Sequence, residues 1–212
     1  MRVRKAFTIL VLLGLVFATS AAAVTFKPAP KPGPKGLEGV PIPQVPVLAP
    51  AQTVHLGEKI DGVECQRLEK VAFHIHAHLA IFVKGEQKQI PFGIGIGPPL
   101  GGYRYPAGPF VASGSCFMWL HTHTADGTIH MEAPKPTSFV LGQFFAIWGQ
   151  KLSKSQVGPA KGKVTALVDG KIYRGNPQDI PLKKHEQIQL EVGTPLVGPE
   201  KITFPAGLLP LT

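Results

Sequence analysis

Residues 71–83 read VAFHIHAHLAIFV, an alternation in which Phe73, Ile75, Ala77, Leu79 and Ile81 fall on one parity and His74, His76 and His78 on the other. Side chains two apart on a strand share a face, so the segment predicts a strand with one apolar side and three imidazoles on its other side. A second stretch, CFMWLHTHTADGTIHME over 116–132, has the same character. Residues 116–124 read as a strand, Asp126-Gly127 is a hairpin dipeptide, and 128–132 return along it until Pro134 and Pro136 stop the pairing. Six of the eight histidines lie in these two windows.

The rest of the chain supports the same class. Lys84-Gly85-Glu86 is a turn, 87–96 resumes extended character, and 97–108 is a loop rich in Gly and Pro. Residues 163–174 form a hairpin about Asp169-Gly170, and 187–192 is a further alternating strand. Only 137–149 changes period: Leu141, Phe144, Phe145 and Trp148 stand at i, i+3, i+4 and i+7, with Thr137 or Ser138 as N-cap and Gly149 as the stop. The expected fold is mostly β, an antiparallel β-sandwich or small open barrel with one short helix at about 138–149.

Both histidine windows sit in a chain that reads as exported. Arg2, Arg4 and Lys5 precede an apolar run over 6–18, and Ala21, Ala22 and Ala23 offer a small-residue cleavage site, so residues 1–23 read as a signal peptide. Left uncleaved, the same run would act as a membrane tether. Residues 24–50 form a linker with prolines at 28, 30, 32, 34, 41, 43, 46 and 50, a density that predicts an extended tether, and the histidine-rich β-domain is expected over 51–212. Export places the chain in the periplasm, at the cell surface or outside the cell. Three of the charges behind the net +9 lie in the signal segment and the others are scattered, which argues against nucleic acid as a partner. Cys65 and Cys116 are the only cysteines, and an exported pair favours a disulfide, with Cys116 as a metal thiolate the competing reading.

The histidine spacing points to a metal ion. On a strand, His-x-His places two imidazoles about 6.6–7 Å apart at Cα, close enough to converge on one ion. His74 and His78 lie about 13 Å apart, too far for all three histidines of the first window to share it. With Asp126-Gly127 as a two-residue turn, His123 faces His130 and His121 faces Glu132. If the two hairpins meet face to face, His76, His78, His121, His123 and His130 form one pocket, with His74 peripheral or in a second site. Packing alone has no use for so many imidazoles, whereas a set without thiolate suits Zn or Cu, then Ni or Fe. His55 and His185 stand alone and take no role.

The strings FHIHAHLAIFV, WLHTHTADGTIH and LGQFFAIWG together resemble a family of exported bacterial and archaeal proteins sharing HIHAHL and WLHTHxxxGxIH segments. That resemblance implies one domain with both segments as its signature, and no activity. Over short stretches the His-x-His pairs are similar to those of multicopper oxidases, where an aromatic precedes the motif as Phe73 precedes His74 and Trp119 precedes His121. The eight imidazoles of their trinuclear centre and their Cys-His-Met pattern are missing. HTADG is similar to one segment of the α-carbonic anhydrases, whose other motifs are absent.

Two functions compete. An exported metal-binding protein in storage, delivery or sensing needs only a closed coordination shell. A metal-dependent enzyme, a copper oxidoreductase or a zinc hydrolase or lyase, needs an open position and a proton carrier, for which Glu132 is the better candidate and Asp126 the other, unless Glu132 serves instead as a carboxylate that orients a ligand imidazole. A β-domain that binds carbohydrate or protein without metal is the third reading.

Overall fold

The structure is a computed structural model that describes residues 24–205; the expected signal peptide lies outside them. Its framework is an open, mixed sheet of seven strands, numbered here in chain order: β1 Phe73–Val83, β2 Glu86–Lys88, β3 Leu120–His121, β4 Thr128–Ala133, β5 Val164–Val168, β6 Lys171–Tyr173 and β7 Gln187–Val192. The order across the sheet is β6-β5-β7-β1-β4-β3, with β2 paired to the C-terminal end of β1. All pairings in it are antiparallel except β7 with β1, which a long excursion from residue 84 to 186 brings together in parallel. Smaller sheets of two and three strands pack round this framework, and among the described residues no barrel closes.

The expected alternation sets the two faces. Ala77, Leu79 and Ile81 of β1 join Ile129, Met131 and Ala133 of β4, Leu120 of β3 and Ile188, Leu190 and Val192 of β7 in the main core. Against them lies the helix α1, Leu141–Trp148, whose Leu141, Phe144, Phe145 and Trp148 are all buried. It starts later than the expected Thr137 or Ser138 cap. Phe139 and Val140 instead pair with Leu182 and Pro181, and the Gln143 side chain accepts a hydrogen bond from the Val140 N–H at 3.0 Å. Gly149 ends the helix in the left-handed region, with φ 70°.

Two regions depart from expectation. The segment 97–108 is not all loop: Gly101–Tyr105 and Gly108–Ser113 pair as a hairpin. The proline-rich segment is not a free tether but an arm packed on the domain, with Val40 and Ile42 fully buried. Proline cannot donate a backbone hydrogen bond, but its carbonyl still accepts one. Pro34 accepts from the Ile42 N–H, Pro46 from the Gln89 N–H, Pro43 from the Gln89 side chain at 2.6 Å, and Pro50 from the Trp148 indole at 3.0 Å. The folded unit therefore begins well before residue 51.

Cys65 and Cys116 form a disulfide across the paired strands Val63–Gln66 and Phe117–Met118. Both cysteines are buried in the core, which removes Cys116 from the metal donors. The bond closes a loop of 51 residues, and replacing both cysteines by alanine is expected to cost about 2–5 kcal/mol in urea unfolding. Thiol titration of the unreduced, denatured protein should find no free thiol; two free thiols would contradict the bridge.

Candidate metal centre

The opposite face of the sheet carries the histidines. In the β1–β4 ladder His76 stands opposite His130, His74 opposite Glu132 and His78 opposite Thr128. On the far side of β4, His130 is paired with His121 of β3. The two histidine segments are thus neighbours edge to edge in one sheet, not hairpins opposed face to face. The register also differs from a two-residue turn by two positions: His121, not His123, faces His130. The shift leaves every side chain on its expected face, because the strand period is two. Its cause lies beyond β3, where Thr122 and His123 bond to a different partner: the Thr122 N–H donates to the Ile94 carbonyl and the Val111 N–H to that of His123. Residues 122–127 become a loop that swings His123 over the cluster.

Two overlapping groups of donors result, His121, His123, His130 and Glu132, and His74, His76 and His130; within each, the ligand atoms all lie within 4.8 Å of one another. His121 donates through Nδ1 to the Met118 carbonyl at 2.9 Å, and His123 donates through Nδ1 to the Val111 carbonyl. A carbonyl only accepts, so both neutral rings carry their lone pair on Nε2. These two Nε2 atoms face each other at 3.1 Å. Two lone pairs so placed repel unless a cation lies between them, and about 3.3 Å is the spacing of two nitrogens on a tetrahedral ion with bonds of 2.0–2.1 Å. His74 Nε2, His76 Nε2, His130 Nδ1 and both Glu132 oxygens are buried without a hydrogen-bond partner. Burial normally demands such partners, so five orphaned donor atoms in one cluster fit a metal site.

His78 is not part of the cluster. Its Nε2 donates to the Asp126 carbonyl at 2.8 Å, on the far side of the 122–127 loop. Asp126 caps that loop by accepting from the Thr128 N–H at 2.8 Å and faces no imidazole of the cluster. His74, expected at the periphery, is central, with Nε2 3.1 Å from Glu132 Oε1. Two carboxylates escaped the sequence reading. Glu38, the only acid between residues 24 and 57, reaches in from the arm, pairing with His130 Nε2 through one oxygen and accepting from Thr124 Oγ1 at 2.6 Å through its other. Glu69 lies 3.5 Å from His123 Nε2 and is partly exposed. A lone acid in a proline run, flanked by Gly36 and Gly39, was the one available hint for Glu38.

Burial and charge set the protonation pattern. Burial holds His76 at about 2, His123 at about 3 and His121 at about 4, so all three are neutral and able to ligate near pH 7. Burial would also lower His130, but the Glu38 carboxylate outweighs it and lifts that imidazole to about 10. Burial opposes ionisation of Glu132, and the His130 and His121 rings more than offset it, leaving the carboxylate at about 2. Glu69 is pushed up to about 7 by burial and by the Glu132 charge. Phe110 stacks on the His123 ring at 5.0 Å and walls the cluster on that side.

Comparison of the chain with protein-family models, with curated proteins and with solved structures finds no match.

The protonation pattern makes the ion-free fold acid-sensitive. His76, His78, His121 and His123 are all depressed, so below pH 6.5 the unfolded chain binds protons that the folded one refuses. Stability should fall as pH drops from 6.5 toward 4. His130 acts oppositely: its contribution is full below 6.5 and fades as pH rises through about 10. Urea unfolding of chelator-treated protein is expected to show its maximum near neutrality, and equal stability at pH 6.5 and 4.5 would contradict the burial of neutral imidazoles.

Proposed function

We propose that this chain is a transition-metal-binding protein whose ion is held by His121, His123, His130 and Glu132. The observation that carries the reading is the approach of the His121 and His123 Nε2 atoms, 3.1 Å apart with both Nδ1 atoms committed to carbonyls. Imidazoles with one carboxylate and no thiolate suit Zn(II) or Cu(II). Glu38 supports this role as a positioning residue: a carboxylate on one imidazole nitrogen orients the ring and raises the basicity of its other nitrogen. Burial of all four donors supports retention of the ion, as in storage or sensing, over rapid delivery. The buried disulfide supports residence in an oxidising, exported compartment. No helix among the described residues is long and apolar enough to cross a membrane.

A metal-dependent enzyme is the second reading, and Glu69 is the observation that favours it. Partly exposed, beside His123 and held at about 7, its carboxyl can pass protons between solvent and the centre. Glu132, a proton-carrier candidate on sequence grounds, fits better as a ligand because both of its oxygens lie orphaned among the imidazoles.

Elemental analysis of the purified chain after loading with Zn(II) or Cu(II) and desalting tests the proposal. The double variant His121→Ala/His123→Ala is expected to lose one ion per chain, whereas His55→Ala, at an exposed position, keeps the wild-type content. Glu38→Gln should weaken affinity by roughly 10–100-fold. Because the His121 and His123 rings stay neutral well below 6.5, acid release through them should require pH below 6.5. A wild-type chain that retains neither metal would overturn the reading.

A further inference from the structure

We infer that the centre is dinuclear, with a second ion between β1 and β4 held by His74 and His76 and sharing the Glu132 carboxylate with the first. The inference rests on the proposed metal site and adds a second one beside it. Its basis is the span of the donors. Adjacent strands lie about 4.8 Å apart, so the donors of β1 and those of β3 flank β4 from opposite sides across roughly 9.6 Å of sheet. Two nitrogens on one ion lie at most about 4.2 Å apart, twice a bond of 2.0–2.1 Å. The donors accordingly fall into two groups with His130 in both.

Each flank then has its own pair of imidazoles, His121 with His123 and His74 with His76. An ion at the first pair leaves His74 Nε2 and His76 Nε2 buried and without hydrogen-bond partners. Glu132 stands between the flanks: its Oε1 lies 3.1 Å from His74 Nε2, 3.4 Å from His130 Nδ1 and 4.0 Å from His121 Nε2. With both oxygens free of hydrogen bonds, this carboxylate can offer one to each ion, the arrangement that bridges two metals about 3.5–4 Å apart. His130, held by Glu38 at Nε2, turns its remaining nitrogen toward the same space.

The test is metal stoichiometry and spin coupling in the full chain loaded with Cu(II). Two coppers per chain are expected, with a low-temperature electron paramagnetic resonance signal well below the total copper, because ions bridged by a carboxylate couple. The variant His74→Ala/His76→Ala should bind one copper and restore a signal equal to its copper content. A wild-type chain that binds one copper at full signal, lost in His121→Ala/His123→Ala, would overturn the second site and leave the first standing. Two coppers at full signal would also overturn it, since the ions would be too far apart to share Glu132. A chain that binds no copper and no zinc would overturn both. The wild-type stoichiometry decides the matter even if a variant fails to fold.

Discussion

The antiparallel register between β1 and β4 is the constraint on which the rest of the structure depends. It sets Ala77 against Ile129 and Ile75 against Met131 on the core side while it sets His76 against His130 and His74 against Glu132 on the other. A slip of one residue would move every imidazole into the apolar core and every core residue out of it. The hydrophobic effect therefore enforces the site: the same burial that gathers Leu79, Ile81 and Met131 into one core with the α1 side chains holds the polar cluster in alignment. A functional centre built on the central strands of a sheet inherits their rigidity, which loops alone do not supply.

That alignment has a cost, which the arm offsets. Imidazoles on a sheet face are easily solvated, and here they are buried, with His121 and Glu132 almost fully enclosed. Part of the cover is the proline-rich arm, whose extended backbone contributes carbonyls as acceptors and few donors that need partners. Ile42 packs with Ala107 and Ala125, anchoring the arm to the hairpin and the 122–127 loop that enclose the cluster. Glu38 then places a carboxylate on His130 from outside the sheet. Pairing of buried charges is what makes such an enclosure tolerable, because an unpaired one would cost several kcal/mol.

Glu69 and Glu38 divide the carboxylates at the rim by environment. Glu38 is enclosed and ion-paired, so its carboxyl is held at about 2 although burial alone would raise it. Glu69 is partly open to solvent, and burial with the charge of Glu132 pushes it up to about 7. One carboxylate fixes an imidazole of the cluster while the other stands where the cluster meets water.

Local patterning determined much of this protein. The period-two run of 71–83 specified a strand and placed three histidines on one face. The spacing of Leu141, Phe144, Phe145 and Trp148 specified the packed face of the helix, and Asp169-Gly170 specified a hairpin, because these signals act within a few residues. Two cysteines in a chain whose start reads as a signal peptide made the disulfide legible. Tertiary structure alone decided which imidazoles meet: the β1–β4 register sets His74 against Glu132 inside the cluster and His78 against Thr128, where it bonds the Asp126 carbonyl, while bonds with Ile94 and Val111 carry His123 over the cluster. It also decided that a proline-rich arm folds back to deliver Glu38 across 92 residues of chain. Neither outcome leaves a local pattern, since both depend on surfaces that exist only once the sheet has formed.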